Sequence, residues 1–227
     1  MAKKRKAWIH VGVPGAGDVL ESALAHHHGA LVELGVEPIA HTTSESFCVA
    51  VEILRTHKDW GMKRSDVEGR WTRLVHRAGG ARCDLVLSQP MLAGATRDQA
   101  DLLADALHGY QVHVVLTTGG YDEALAAAVD AWGFAVRKPE RLHVLEVEGA
   151  SPKAVWRSFG ALVGFGTSSL PIDGVPAIGG SCDSLAEAHR EIERLARRNA
   201  SLEVRLEEVD RKRRKLKRRL RKTDQAA

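Results

Sequence analysis

The sequence predicts an α/β domain, a parallel sheet flanked by helices, followed by a long basic helix. Three observations carry this. Short apolar runs rich in β-branched residues alternate with longer amphipathic segments, as in a parallel sheet covered on both faces. The first such run enters a glycine-rich turn and then a helical stretch. Beyond residue 184, apolar residues recur at spacings of three and four.

In chain order, residues 1–6 form a basic leader (Lys3, Lys4, Arg5, Lys6) and residues 7–180 the α/β domain. Strands are expected at Trp8–Val13, Asp84–Ser88, Val112–Thr117 and Leu142–Val147. Helices are expected at Val19–Leu34, Ser44–His57, Ser65–Arg77, Arg97–Leu107, Asp122–Trp132 and Pro152–Val163. Gly164–Ser181 is rich in Gly, Ser and Pro and reads as a linker or a loop lying over the domain.

Residues 184–222 change texture. One register holds Leu185, Ile192, Asn199, Leu206, Arg213 and Leu220; the other holds Ala188, Leu195, Leu202, Val209 and Leu216. This heptad pattern predicts a coiled coil or a single projecting helix, starting behind the N-cap residues Asp183 and Ser184. Asn199 on the seam suits a two-stranded register. Arg213 and the base-rich end weaken pairing there. Residues 211–222 hold ten Lys and Arg and no acid. Without them the chain has 23 Lys and Arg against 29 Asp and Glu, so an acidic body carries a basic tail. A homodimer through residues 185–220 and an anionic partner for residues 211–222 are the interactions this pattern suggests.

The 227 residues, 44% of them hydrophobic, suffice for one core and an appendage. No apolar run approaches the ~18 residues needed to cross a bilayer. Ala7–Val13 is too short for the apolar region of an export signal. Cys48, Cys83 and Cys182 are odd in number and widely spaced, which argues against a disulfide framework or zinc knuckle and fits a reducing cytoplasm. The consecutive His26, His27 and His28 cannot share a helix face as metal ligands do, so they read as polar helix-end residues and no metal is expected.

The turn Pro14-Gly15-Ala16-Gly17-Asp18, between a strand and a helix, has the geometry in which backbone N–H groups cradle a phosphate. HVGVPGAG followed by LESALAHHHGALVELGV resembles the opening of the bacterial, especially actinobacterial, P-loop sulfotransferase-like family. That family begins with a strand, Gly-Leu-Pro-Lys-Thr-Gly-Thr-Thr, and a helix ending in Gly-Val. Further segments are similar to later units of the family in the same order, among them DVEGRWTRLVHRAGGARCDLVLSQPMLAGATRDQADLLADAL and LHVLEVEGASPKAVWRSFGALVGF. QVHVVLTTGGYDEALAAAVDAW and SLAEAHREIERLARRNASL extend the resemblance to nearly all of residues 7–202. It implies a P-loop-type sheet. It also implies a loop for phosphoadenosine phosphosulfate (PAPS) built from Gly12, Pro14, Gly15, Ala16, Gly17 and Asp18, with Ser88 nearby.

This chain departs from the family where the donor is held. Gly15 stands in place of the P-loop lysine and Ala16 in place of the first threonine, in a turn one residue shorter. Asp18 reads as an N-cap that occupies the N–H groups a phosphate wants and repels the anion. Gly119 stands where the family has an arginine for the 3′-phosphate, and Ser88-Gln89-Pro90 replaces Ser-His-Glu. An amide and a proline do no general-base work near neutral pH. Ser88 reads first as a strand-end hydroxyl and second as a surviving site residue. Trp156 and Phe159 read as core, His113 and His143 as interior or face residues, and Glu146 and Glu148 as solvated.

Three functions are therefore expected. The first is a sulfotransferase-like module that has lost or weakened PAPS-dependent sulfuryl transfer and serves as a scaffold dimerised by its tail. The second is an active PAPS-dependent sulfotransferase with an altered donor site. The third is a binder of nucleic acid or anionic membrane through the basic tail.

Overall fold

The computed structural model describes residues 4–12 and 18–175, excluding the side chain of residue 18. The chain divides into two units, Met1–Ile178 and Gly179–Ala227. The heptad-patterned stretch lies outside the described residues, as do Pro14, Gly15, Ala16 and Gly17.

Five parallel strands, β1 (Lys6–Gly12), β2 (Val36–Pro38), β3 (Asp84–Ser88), β4 (Gln111–Thr118) and β5 (Leu142–Glu146), form one sheet in the order β2-β3-β1-β4-β5. Parallel strands need crossovers, and helices supply them. α1 (Asp18–His26) and α2 (His28–Glu33) carry the chain from central β1 over β3 to the edge. α3 (Thr43–Leu54), α4 (Arg64–Val67) and α5 (Arg70–Gly79) lead back to β3, and α6 (Arg97–Asp105) leads on to β4. α7 (Glu123–Val136) reaches β5, and α8 (Pro152–Val163) follows.

The two-residue period of the strands sorts the core. Ala7, Ile9, Val11, Leu85, Leu87, Val114 and Leu116 meet Val49, Trp71, Leu103 and Trp132 from α3, α5, α6 and α7. Trp8, Val86 and Val115 face the other way, onto Leu20, Leu24, Leu31, Trp156 and Phe159 from α1, α2 and α8. Trp156 and Phe159 are core residues, as expected. Three buried indole N–H groups find carbonyls: Trp71 donates to Leu103, Trp132 to Leu92 and Trp156 to Leu170, whereas that of Trp8 is buried without a hydrogen-bond partner. The last bond folds the glycine-rich segment back over the domain, with Phe165 and Leu170 buried on α8. That fits the loop reading over residues 164–175.

Several boundaries differ from the sequence pattern. β1 starts two residues before Trp8, because the Lys6 N–H donates to the Asp84 carboxylate at 2.7 Å and its ammonium lies 5.0 Å from the Trp8 ring centroid. Arg5 joins the body as well, donating to the Ala81 carbonyl at 2.7 Å. The single helix expected at Val19–Leu34 is two, parted at His27. The helix expected at Ser65–Arg77 is broken by Gly69 at φ 73°. β2 went unpredicted, since three residues ending in proline show no alternation, and proline is tolerated on an edge. α7 continues past Trp132 to Val136, where Arg137 stops it in the left-handed conformation.

Hydroxyl and carboxylate caps fix most helix starts. Thr42, Thr96, Asp122 and Ser151 accept N–H bonds at the heads of α3, α6, α7 and α8. α5 lacks a side-chain cap of its own, and Glu52 from α3 supplies one, accepting from Gly69 N at 2.6 Å and Trp71 N at 2.7 Å.

Candidate functional site

Connections leaving β1 and β4 run toward opposite edges of the sheet, and open α/β sheets bind ligands at the carboxyl ends of such strands. Gly12 ends β1 there, paired in register with Thr117 of β4. Asp18 is the first residue of α1. A carboxylate in a first turn favours the helix dipole.

Ser88, the one expected site residue whose side chain is described, ends β3 and is Cα partner of His10 on β1. Register partners point to the same face, and Thr117 shares that parity. The three side chains form one buried group. Nδ1 of His10 lies 2.7 Å from Ser88 Oγ, and Nε2 lies 2.9 Å from Thr117 Oγ1. A neutral imidazole has one N–H and one lone pair, so it donates to one hydroxyl and accepts from the other. The Phe159 ring closes over it edge-on at 5.8 Å between centroids. Burial lowers the His10 pKa from 6.5 to about 3.

Ser beside His has the connectivity of an activated nucleophile. Burial removes the chemistry here. Ser88 is 3% exposed and His10 and Thr117 are 0% exposed, so no substrate reaches the hydroxyl. A base with a pKa of about 3 takes no proton near neutral pH. The triad is an internal clasp across the three central strands.

Next to it lies a second polar group. Glu21 on α1 accepts from Ser46 Oγ and, at 3.2 Å, from Gln89 Nε2. Gln89 uses its carbonyl to accept from the Met91 N–H at 3.1 Å, starting a 3-10 turn over Pro90–Gly94. Ser88, Glu21 and Ser46 line a cleft with room for about one water. Gln89 is thus a buried structural amide. Thr118 hydrogen-bonds within its own turn, accepting from the Gly120 N–H at 3.1 Å. Glu146 and Glu148 are exposed.

His10 had no signal of its own beyond being a histidine inside an apolar strand. His113 and His143 do pair across β4 and β5, 3.1 Å apart and stacked at 13° between ring planes. Burial and the nearby Lys6 charge lower both, His113 to about 4. They lie on the face of Trp8, against its ring.

A third constellation was not expected at all. His28 at the start of α2, Glu37 in β2 and His41 beyond it converge, with the chosen ligand atoms all within 4.8 Å of one another. Cys48 and Cys83 are free, and burial raises the Cys83 thiol. Among the described residues no helix is long and apolar enough to cross a membrane. The chain matches no protein-family model and no curated protein sequence.

Proposed function

We propose that this is a sulfotransferase-like P-loop domain that has lost PAPS-dependent sulfuryl transfer and serves as a binding or scaffold module, dimerised through residues 185–220. The observation that carries the loss of transfer is the clasp of His10 on Ser88 and Thr117. Hydroxyls at the carboxyl ends of β3 and β4 are committed to a buried imidazole that bears no charge. Among the described residues that end β1, β3, β4 and β5, the side chains are neutral or, at Glu146, acidic. Glu21 adds a carboxylate beside Ser88. A phosphosulfate carries several negative charges, and its transfer relies on positioned cations. The substitutions at Gly15, Ala16 and Gly119 remove those cations and hydroxyls in sequence, and Asp18 adds an anion.

Thermal unfolding with phosphoadenosine phosphate tests the reading. A working donor site with Kd ~10 μM, at 1 mM nucleotide, stabilises the native state by ~2.7 kcal/mol. For a domain of this size that raises Tm by roughly 5–10 °C. We expect a shift below ~1 °C. A saturable shift of several degrees would establish the active, altered-donor reading instead.

A further inference from the structure

We propose that His28, Glu37 and His41 form a binding site for a borderline divalent transition metal, of which Zn²⁺ is the natural fit.

The donor set is two imidazoles and one carboxylate, a combination that binds zinc while leaving a position for water. Ligand atoms ~2.0–2.1 Å from a tetrahedral ion lie about 3.3 Å from one another. Here Glu37 Oε1 is 3.1 Å from His41 Nε2 and 3.6 Å from His28 Nε2. The two imidazoles lie against each other, with ring centroids 3.8 Å apart. The three atoms lie within 4.8 Å of one another, and the rings splay apart as they close onto one ion.

A second observation points to a ligand. His28 Nε2 is buried and has no hydrogen-bond partner, although Glu37 and His41 are beside it. A proton shared between His41 and Glu37 satisfies that pair and leaves His28 out. An unpaired buried nitrogen is costly, and a metal would engage it along with the other two. The Glu37 residue is 8% exposed, and a buried carboxylate favours a cationic partner. The imidazole side chains are 30% and 32% exposed, so water can complete the coordination.

The three ligands come from different elements that are independently held. α2 fixes His28, and β2 fixes Glu37 by parallel pairing with Leu85. His41 is anchored through its own N–H, which donates to Glu45 Oε2 at 2.8 Å. Arg77 acts electrostatically on Glu37, and Glu45 neutralises it in a paired contact at 2.7 and 2.8 Å. The neighbouring His27 is not part of the convergent group; its Nε2 lies 2.8 Å from the Pro171 carbonyl.

The test is titration of untagged, chelator-stripped full chain with Co²⁺ and then Zn²⁺. We expect one Co²⁺ per chain with the visible absorption of a low-symmetry N/O site, discharged by one equivalent of Zn²⁺. His28→Gln, Glu37→Gln and His41→Gln should each weaken binding by ~100-fold or more, beyond the ~10–100-fold typical of outer-shell changes. His26→Gln and His108→Gln, both at exposed positions, should leave it unchanged. Circular dichroism of each metal-free variant separates loss of a ligand from loss of the fold. Should one ligand variant fail to fold, the other two and the Zn²⁺-dependent rise in Tm of the unaltered chain decide. Absence of stoichiometric binding at tens of micromolar metal overturns the proposal. So does equal loss in His26→Gln, which would mean adventitious chelation by the histidine run, or retention of binding in the folded ligand variants.

Discussion

Ser88 Oγ lies 2.7 Å from His10 Nδ1, between residues that are direct register partners on adjacent parallel strands. This contact, with Thr117 on the other ring nitrogen, holds three strands together at the end of the sheet where a ligand would dock. Its consequence for acid stability can be measured. His10 has a folded pKa of about 3 against 6.5 unfolded, so the unfolded chain binds the extra proton between those values. Its contribution is fully present above pH ~6.5 and is lost as pH falls toward 3, at up to ~1.4 kcal/mol per pH unit. His113 and His143, also lowered, act with the same sign. Glu45 is held down to about 2, first by its hydrogen bond with Arg77, so its contribution is lost only below pH ~4.5. Denaturant melts of the His10→Asn variant between pH 6.5 and 4.5 should show a slope shallower by about one proton. An unchanged slope would mean that His10 is protonated in the native state.

Glu52 should behave as a cap donated by a neighbouring helix. Its carboxylate takes the N–H groups of Gly69 and Trp71, which begin α5. Glu52→Ala should cost ~0.5–2 kcal/mol, the range for a lost cap, in urea unfolding. Glu52→Gln should recover part of that, since the amide oxygen still accepts but without charge.

Gly160 is a close-approach position on α8. A Cβ there would meet the Phe165 carbonyl at 3.0 Å, the Phe165 ring at 3.1 Å and the Thr167 methyl. Gly160→Ala should therefore destabilise the domain by ~1–3 kcal/mol despite alanine's better helix propensity. It should also raise amide exchange across residues 165–170, which pack on that face. A stabilised variant would mean that the segment yields without cost.

Removing the chain from Leu185 onward should convert a dimer into a monomer by light scattering, if the heptad seam dimerises the protein as proposed. The same truncation should abolish any salt-sensitive binding to anionic polymers, because the run of ten bases lies in residues 211–222. An unchanged mass after truncation refutes tail-mediated dimerisation.

The periodic features were legible in the sequence because they are local. Four apolar runs became β1, β3, β4 and β5, and α8 begins and ends where Pro152 and Gly164 set it. Burial of Trp156 and Phe159 followed from helical spacing alone. β2 was missed because three residues are too few to show a period. Likewise, the breaks at His27 and Gly69 interrupt patterns whose apolar spacing continues through them.

What tertiary structure alone decided is which polar side chains meet. His10 contacts partners 78 and 107 residues away, and that pairing exists only once β3 and β4 flank β1 in register. His28 looked like one of three interchangeable histidines until α2 laid it beside Glu37 and His41. Sequence by itself determined the alternation of strand and helix and the charge split between body and tail. The parallel crossovers then determined where polar groups are desolvated, and so which histidine is clasped between two hydroxyls and which meets Glu37 and His41.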